Sequence, residues 1–175
     1  VVSPNGDKIF TWNIESGKGI GYISTFDEKN KVKIADTPLN QIVIDWPEIS
    51  TVNLTTKASG VASGYMYTID VKTGSMKNVL GPKKGLSGKM SRDLSKILYF
   101  TKNGSNFLTY ILNIKAGSSD SVVFKTLADK CVWSTLNKDD LYCGVPTDIP
   151  DGIYPDDWYM GKVSFSDQIW HLNTT

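Results

Sequence analysis

The sequence predicts an all-β protein built from about four consecutive antiparallel units of four strands each. Three observations carry this expectation. One turn-and-strand phrase recurs at a nearly constant step, and a second phrase runs in phase with it. The segments between them are short β-branched and aromatic runs with no sustained 3.6-residue apolar period.

The first phrase is Ser3-Pro4-Asn5-Gly6-Asp7-Lys8-Ile9-Phe10. It returns as Ser91-Arg92-Asp93-Leu94-Ser95-Lys96-Ile97-Leu98-Tyr99. A looser copy is Trp133-Ser134-Thr135-Leu136-Asn137-Lys138 followed by Leu141-Tyr142, and a degraded one is Trp46-Pro47-Glu48 followed by Val52-Asn53-Leu54. The apolar residues that open the copies are Val2, Trp46, Met90 and Trp133, at steps of 44, 44 and 43 residues. The second phrase is Tyr67-Thr68-Ile69-Asp70-Val71-Lys72-Thr73-Gly74, matched by Tyr110-Ile111-Leu112-Asn113-Ile114-Lys115-Ala116-Gly117. Tyr22 to Asp27 and Trp170 to Thr175 are its other copies. The steps are 45, 43 and 60, so the last unit carries an insertion.

Within the second unit the strands read as Gln41 to Trp46, Thr51 to Thr56, Tyr65 to Val71 and Met76 to Leu80. Lys72-Thr73-Gly74 and Lys115-Ala116-Gly117 read as tight hairpin connections, with glycine supplying positive φ. The Gly-rich stretch Gly17 to Gly21 reads as a turn. Four antiparallel strands in about 44 residues is the unit of a β-propeller blade. The expected blades are 1–40, 41–84, 85–129 and 130–175, in a single propeller segment whose last blade lacks its outer strand. Val1-Val2 reads as the end of an innermost strand, and the missing outer strand would follow Thr175. A fragment of a larger propeller is therefore expected, with a complete four-bladed ring as the alternative. A fragment would leave two open apolar flanks, covered by the remaining blades or by a second copy in a homo-oligomer.

These phrases resemble the WD40-like (PD40) repeat of TolB-type propellers, and also the propellers of prolyl oligopeptidases and dipeptidyl peptidases. The resemblance runs along the whole chain as repeats, and only the first copy keeps the full Ser-Pro-x-Gly turn. It implies a propeller fold and leaves function open.

Composition narrows the functional classes. The 175 residues are 40% hydrophobic and 21% charged, an ordinary globular balance. Lys plus Arg is 19 and Asp plus Glu is 18, giving a net charge of +1. No basic excess points to nucleic acid or to an anionic membrane. Apolar runs such as Ile42 to Ile44 and Ile97 to Phe100 are far below the ~20 residues of a bilayer span. No signal peptide or lipidation motif is present, and the chain opens Val1-Val2-Ser3, which reads as processed or cut from something longer. One histidine and two cysteines are too few for a Cys/His zinc cluster, and no cofactor motif is found.

The candidate site is the insertion from Pro146 to Gly161. It holds three of the seven prolines, the carboxylates Asp148, Asp151, Asp156 and Asp157, and the aromatics Tyr154, Trp158 and Tyr159. Long ordered loops are usually functional, so Tyr154, Asp156, Asp157, Trp158 and Tyr159 are the candidate contacts for a ligand or protein partner. The other reading is a proline-stiffened lid whose aromatics pack onto the blade. The acidic spacing does not match a calcium-binding EF-hand.

Cys131 and Cys143 are symmetric about Asn137, a register that opposes Cys131 to Cys143 and Trp133 to Leu141. Opposed cysteines are close enough to bond; the alternative is two buried thiols. His171 should face away from Trp170 and Leu172, in a structural or surface role. Ser3, Ser91 and Ser134 read as turn hydroxyls, and no Gly-x-Ser-x-Gly elbow exists. Asn53-Leu54-Thr55, Asn103-Gly104-Ser105 and Asn173-Thr174-Thr175 fit the glycosylation triplet and carry no weight here. Together these residues predict a non-catalytic scaffold for protein or ligand binding, extracytoplasmic in location. The alternative is the gating propeller of a peptidase-like enzyme whose catalytic domain lies elsewhere.

Overall fold

The serine that opens each repeated phrase closes a turn. The structure, a computed structural model, describes residues 1–104 and 106–175. The Ser3 hydroxyl accepts from the N–H groups of Asp7 and Lys8 at 3.2 and 3.0 Å. It donates to the Asp7 carboxylate at 2.9 Å. Ser91 repeats this, accepting from Lys96 N–H at 2.9 Å and donating to Asp93 at 2.8 Å. The Ser134 hydroxyl accepts from the N–H groups of Leu136 and Asn137. A short hydroxyl thus satisfies backbone donors that a chain reversal takes out of the ladder.

Four antiparallel sheets follow one another along the chain, each made only of sequence neighbours. The first holds β1 (Ile9–Glu15), β2 (Lys18–Ser24) and β3 (Val32–Thr37) in that order. Val1 and Val2 lie alongside β1, with Val1 C=O accepting from Phe10 N–H at 2.8 Å. The second sheet holds β4 (Ile42–Glu48), β5 (Thr51–Thr56), β6 (Ser63–Asp70) and β7 (Met76–Lys84). The third holds β8 (Ser87–Met90), β9 (Lys96–Asn103), β10 (Asn106–Asn113) and β11 (Ser118–Ser121). The fourth holds β12 (Cys131–Trp133), β13 (Asp140–Pro146) and β14 (Asp167–Asn173). One helical turn, α1 (Asp156–Tyr159), sits in the insertion between β13 and β14.

The all-β architecture of three- and four-stranded units matches the expectation, with shifted strand ends. β6 stops at Asp70, one residue early, because the Asp70 carboxylate accepts from the N–H groups of Lys72 and Thr73 at 3.1 and 2.7 Å and starts the turn. Gly74 (φ 71°) and Gly117 (φ 70°) complete the two expected hairpins. The Gly17 to Gly21 stretch is a correction. The reversal occupies only Ser16 and Gly17, and Gly19 and Gly21 lie inside β2. A Cβ at Gly19 would run into the Trp12 ring, and one at Gly21 would meet Phe10 Cζ at 2.8 Å. These glycines make room for aromatic rings from β1; they do not bend the chain.

The chain clusters into two compact units, 1–57 with 66–80 and 58–65 with 81–175. In the first, Phe10, Ile23, Ile34, Trp46, Val52, Leu54 and Ile69 form the buried core. In the second, one core gathers Leu98, Phe124, Ala128, Cys131, Trp133, Leu141, Cys143 and Val145. Another gathers Phe100, Phe107, Leu127 and Tyr154. The inner strands are covered on both faces, with Val52 to Thr55 of β5 and Ile97 to Phe100 of β9 buried in unbroken runs.

Candidate functional site

The insertion leaves β13 at Pro146, and Thr147 N–H donates to Ser166 C=O at 2.9 Å where the chain returns. Between these points the segment 147–166 is a strap pinned from its inner side. Tyr154 is buried, 6% exposed, edge-on to Phe107 at 5.2 Å between ring centroids and stacked on Phe165 at 5.7 Å. Its hydroxyl donates to Pro150 C=O at 2.6 Å. Trp158 is half-buried and stacks on Phe165 at 6.3 Å. Ile149 and Val163 pack against the same cluster.

The carboxylates do different work. Asp156 accepts from the Ser59 hydroxyl at 2.9 Å and from Gly60 N–H at 2.5 Å, tying α1 to a loop nearly 100 residues earlier in the chain. Gly60 has to be glycine here, because a Cβ would strike the Tyr154 carbonyl oxygen. Asp157 accepts from Ile153 N–H at 2.8 Å and pairs with Lys162 at 3.2 Å; these bonds, in that order, hold its carboxyl below the usual range. Tyr159 donates to Asp129 at 3.2 Å. Burial, then the charge of Asp129, pushes the Tyr159 phenol well up. Burial, then Asp157, Asp148 and Asp151, raises the Tyr154 phenol. Both phenols therefore stay protonated near neutral pH and serve as donors and apolar surface.

The five residues singled out by sequence thus share one strap with different exposures. Tyr154 is core, Asp156 and Asp157 hold the backbone, Trp158 is half-buried, and Tyr159 presents part of its ring. Sequence reasoning missed Ser59, Gly60 and Asp129 as partners, and Ile153 and Met160 as exposed apolar residues of the strap (46% and 58%). The contacts with Ser59, Gly60 and Asp129 are long-range and leave no local spacing to read.

Cys131 and Cys143 pair in the register read from the sequence, Cα atoms 4.1 Å apart, and are bonded as a disulfide. Trp133 faces Leu141 and donates its indole N–H to Lys89 C=O at 3.0 Å. His171 lies opposite Tyr142, stacks on its ring at 4.9 Å and reaches Asp140 with Nε2 at 3.1 Å. Asn173 and then His171 hold the Asp140 carboxyl below its ordinary value. Trp170 and Leu172 point to the other face, Trp170 against Phe124. Ser105, third residue of one glycosylation triplet, lies outside the described residues. Among the described residues, no group of three or more His, Cys, Asp or Glu is placed to hold a metal. No helix among them is long and apolar enough to cross a membrane.

No family model matches this sequence, and no curated protein matches it. Solved structures do. TolB from Acinetobacter baumannii superposes with a TM-score of 0.61 at 19% identity, over 82% of this chain and 36% of that one. An acylaminoacyl peptidase gives 0.59 at 12%, over 99% and 30%. The β-propeller domain of the Trilobed protease from Pyrococcus furiosus gives 0.52 at 11%, over 95% and 50%. The chain spans half or less of the length of each. At these identities the likeness concerns the fold: the four sheets are propeller blades, and the resemblance read from the repeats to TolB-type and peptidase propellers holds at that level.

Proposed function

We propose that this chain is a non-catalytic propeller scaffold that binds a protein partner or ligand through the end carrying the strap 147–166. The observation that carries the reading is the strap itself. A twenty-residue connection is held rigid by a buried aromatic cluster and by Asp156, yet it turns Ile153, Tyr159 and Met160 toward solvent. Ordered long connections of this kind are where scaffolds place recognition. The thiols, the repeat serines and the histidine singled out in the sequence are otherwise engaged. Both thiols are in a disulfide, the repeat serines close turns, and His171 is held by Asp140 and Tyr142. The disulfide supports an oxidising, extracytoplasmic compartment.

The test is site-specific photo-crosslinking in the native host, with the reactive group at Met160 or at Leu136. Leu136 is 97% exposed at the opposite end of β13. Adducts from position 160 and none from 136 are expected. Equal labelling at both, or none at 160, rejects the assignment. The peptidase-gating alternative draws on the likeness to the peptidase propellers. It requires a Gly-x-Ser-x-Gly hydrolase domain in the same gene.

A further inference from the structure

The strap sorts its side chains into two sets. Tyr154, Trp158 and Phe165 face the buried cluster. Ile153, Tyr159 and Met160 face out, 46%, 38% and 58% exposed. A fourth exposed side chain joins them from the loop that Asp156 holds. Gly60 lies against Ile153, its built Cβ falling 3.0 Å from Ile153 Cγ2, and the next residue, Val61, is 75% exposed. The result is an apolar ridge on a backbone fixed by hydrogen bonds at both ends.

Within the strap acidic groups outnumber basic ones, and Lys84, which precedes the Gly85 that bonds Ser59 and Ala62, is an exposed cation beside it. Residues 147–166 hold four aspartates and one lysine, in a chain whose net charge is +1. Lys162 is taken by Asp157. Asp156 accepts from uncharged donors, Ser59 and Gly60. Asp148 and Asp151 are exposed and pair with no cation among the described residues. At the other end Asp129 accepts from Tyr159.

We propose that this ridge is a docking surface for a protein segment presenting an apolar side chain flanked by lysine or arginine. The proposal rests on the strap being the binding face and names the chemistry of its partner. An apolar anchor would desolvate Ile153, Met160 and Val61, while the flanking cations meet Asp148 and Asp151. Because the ridge is already ordered, docking avoids the entropy of fixing a loop. The same carboxylates oppose an anionic membrane and a nucleic-acid backbone.

The experiment is a selection of random twelve-residue displayed peptides on the 175-residue protein. Binding of the winners is then measured by fluorescence anisotropy on surface variants whose thermal midpoints match the parent. The expected winners carry Lys or Arg around Leu, Ile, Phe or Trp. They should bind Ile153→Ser/Met160→Ser at least about tenfold more weakly, as for loss of a central anchor. They should bind Asp148→Asn/Asp151→Asn about threefold more weakly at low salt, with the gap closing as salt rises. Acidic or uncharged winners that still depend on Ile153 and Met160 would overturn the partner chemistry and leave the strap as the binding face. Winners indifferent to both variants, no enrichment at all, or self-association abolished by Met160→Ser would overturn the proposal, and the first two also remove the support for the binding face.

Discussion

At the scale of single residues, the repeated serine and aspartate carry a pH dependence. Burial alone would raise the Asp93 carboxyl. The hydroxyls of Ser95 and Ser91, the Ser95 N–H and Lys138 outweigh it and bring the group from 3.8 down to about 2. A carboxyl lowered on folding contributes stability that is complete above 3.8 and is lost as pH falls through about 2. Asp93→Asn should therefore lower the urea midpoint at pH 5 and flatten its decline toward pH 2. Equal acid slopes in parent and variant would sink the assignment. These residues were legible in the sequence because their bonds are local: Ser91, Asp93, Ser95 and Lys96 satisfy one another within six positions. Gly19 and Gly21 were misread for the complementary reason. Glycine that bends a chain and glycine that makes room for a ring look alike until the ring of Trp12 or Phe10 is placed.

At the scale of elements, the strap and the β12–β13 hairpin are both stapled, by different means. The Cys131–Cys143 bond closes a loop of sequence separation 12, a constraint of about 3 kcal/mol on the unfolded chain. The strap relies on Tyr154 and Asp156. Tyr154 fills a space between Phe107 and Phe165, so Tyr154→Ala should cost about 3–5 kcal/mol, the range for emptying a buried aromatic site. Asp156→Ala breaks two bonds at a half-buried position, so its effect should be local. Hydrogen exchange should speed up at Gly60 and in 153–158, with the rest of the protein unchanged. A uniform rise across all sheets in Asp156→Ala, or a neutral Tyr154→Ala, would show that the strap is not pinned this way. The hairpin register could be read from cysteine symmetry about Asn137. The sequence of the strap, by contrast, left both a partner-facing and a packed reading open. Its aromatic count is the same in both, and what separates them is the distant cluster of Phe100, Phe107 and Leu127.

At the scale of the whole molecule, the last sheet buries one face and leaves three large apolar side chains open on the other. Cys131, Trp133, Leu141, Cys143 and Val145 are buried with Leu98 of the third sheet. The alternate positions are open: Val132 is 62% exposed, Tyr142 43% and Ile169 80%. In the third sheet the pair Leu98 and Ile111 is packed against the neighbouring core, whereas the paired Tyr142 and His171 are exposed. The repeat made this legible, since a unit whose strands are apolar on both faces needs a neighbour on each. What no local pattern could reveal is which surface supplies the second neighbour. An uncovered face of this kind drives association. The 175-residue chain should therefore show a concentration-dependent sedimentation coefficient, and Val132→Lys/Ile169→Lys should remove that dependence. The two lysines replace exposed side chains, so the thermal midpoint should stay within the ordinary range of surface substitutions, about 0.5 kcal/mol equivalent. If the parent sediments identically across a hundredfold range of concentration, the face is tolerated by water and does not drive association. If instead the double variant unfolds, Val132 and Ile169 belong to the core of their own sheet, and the distinction between its two faces is wrong.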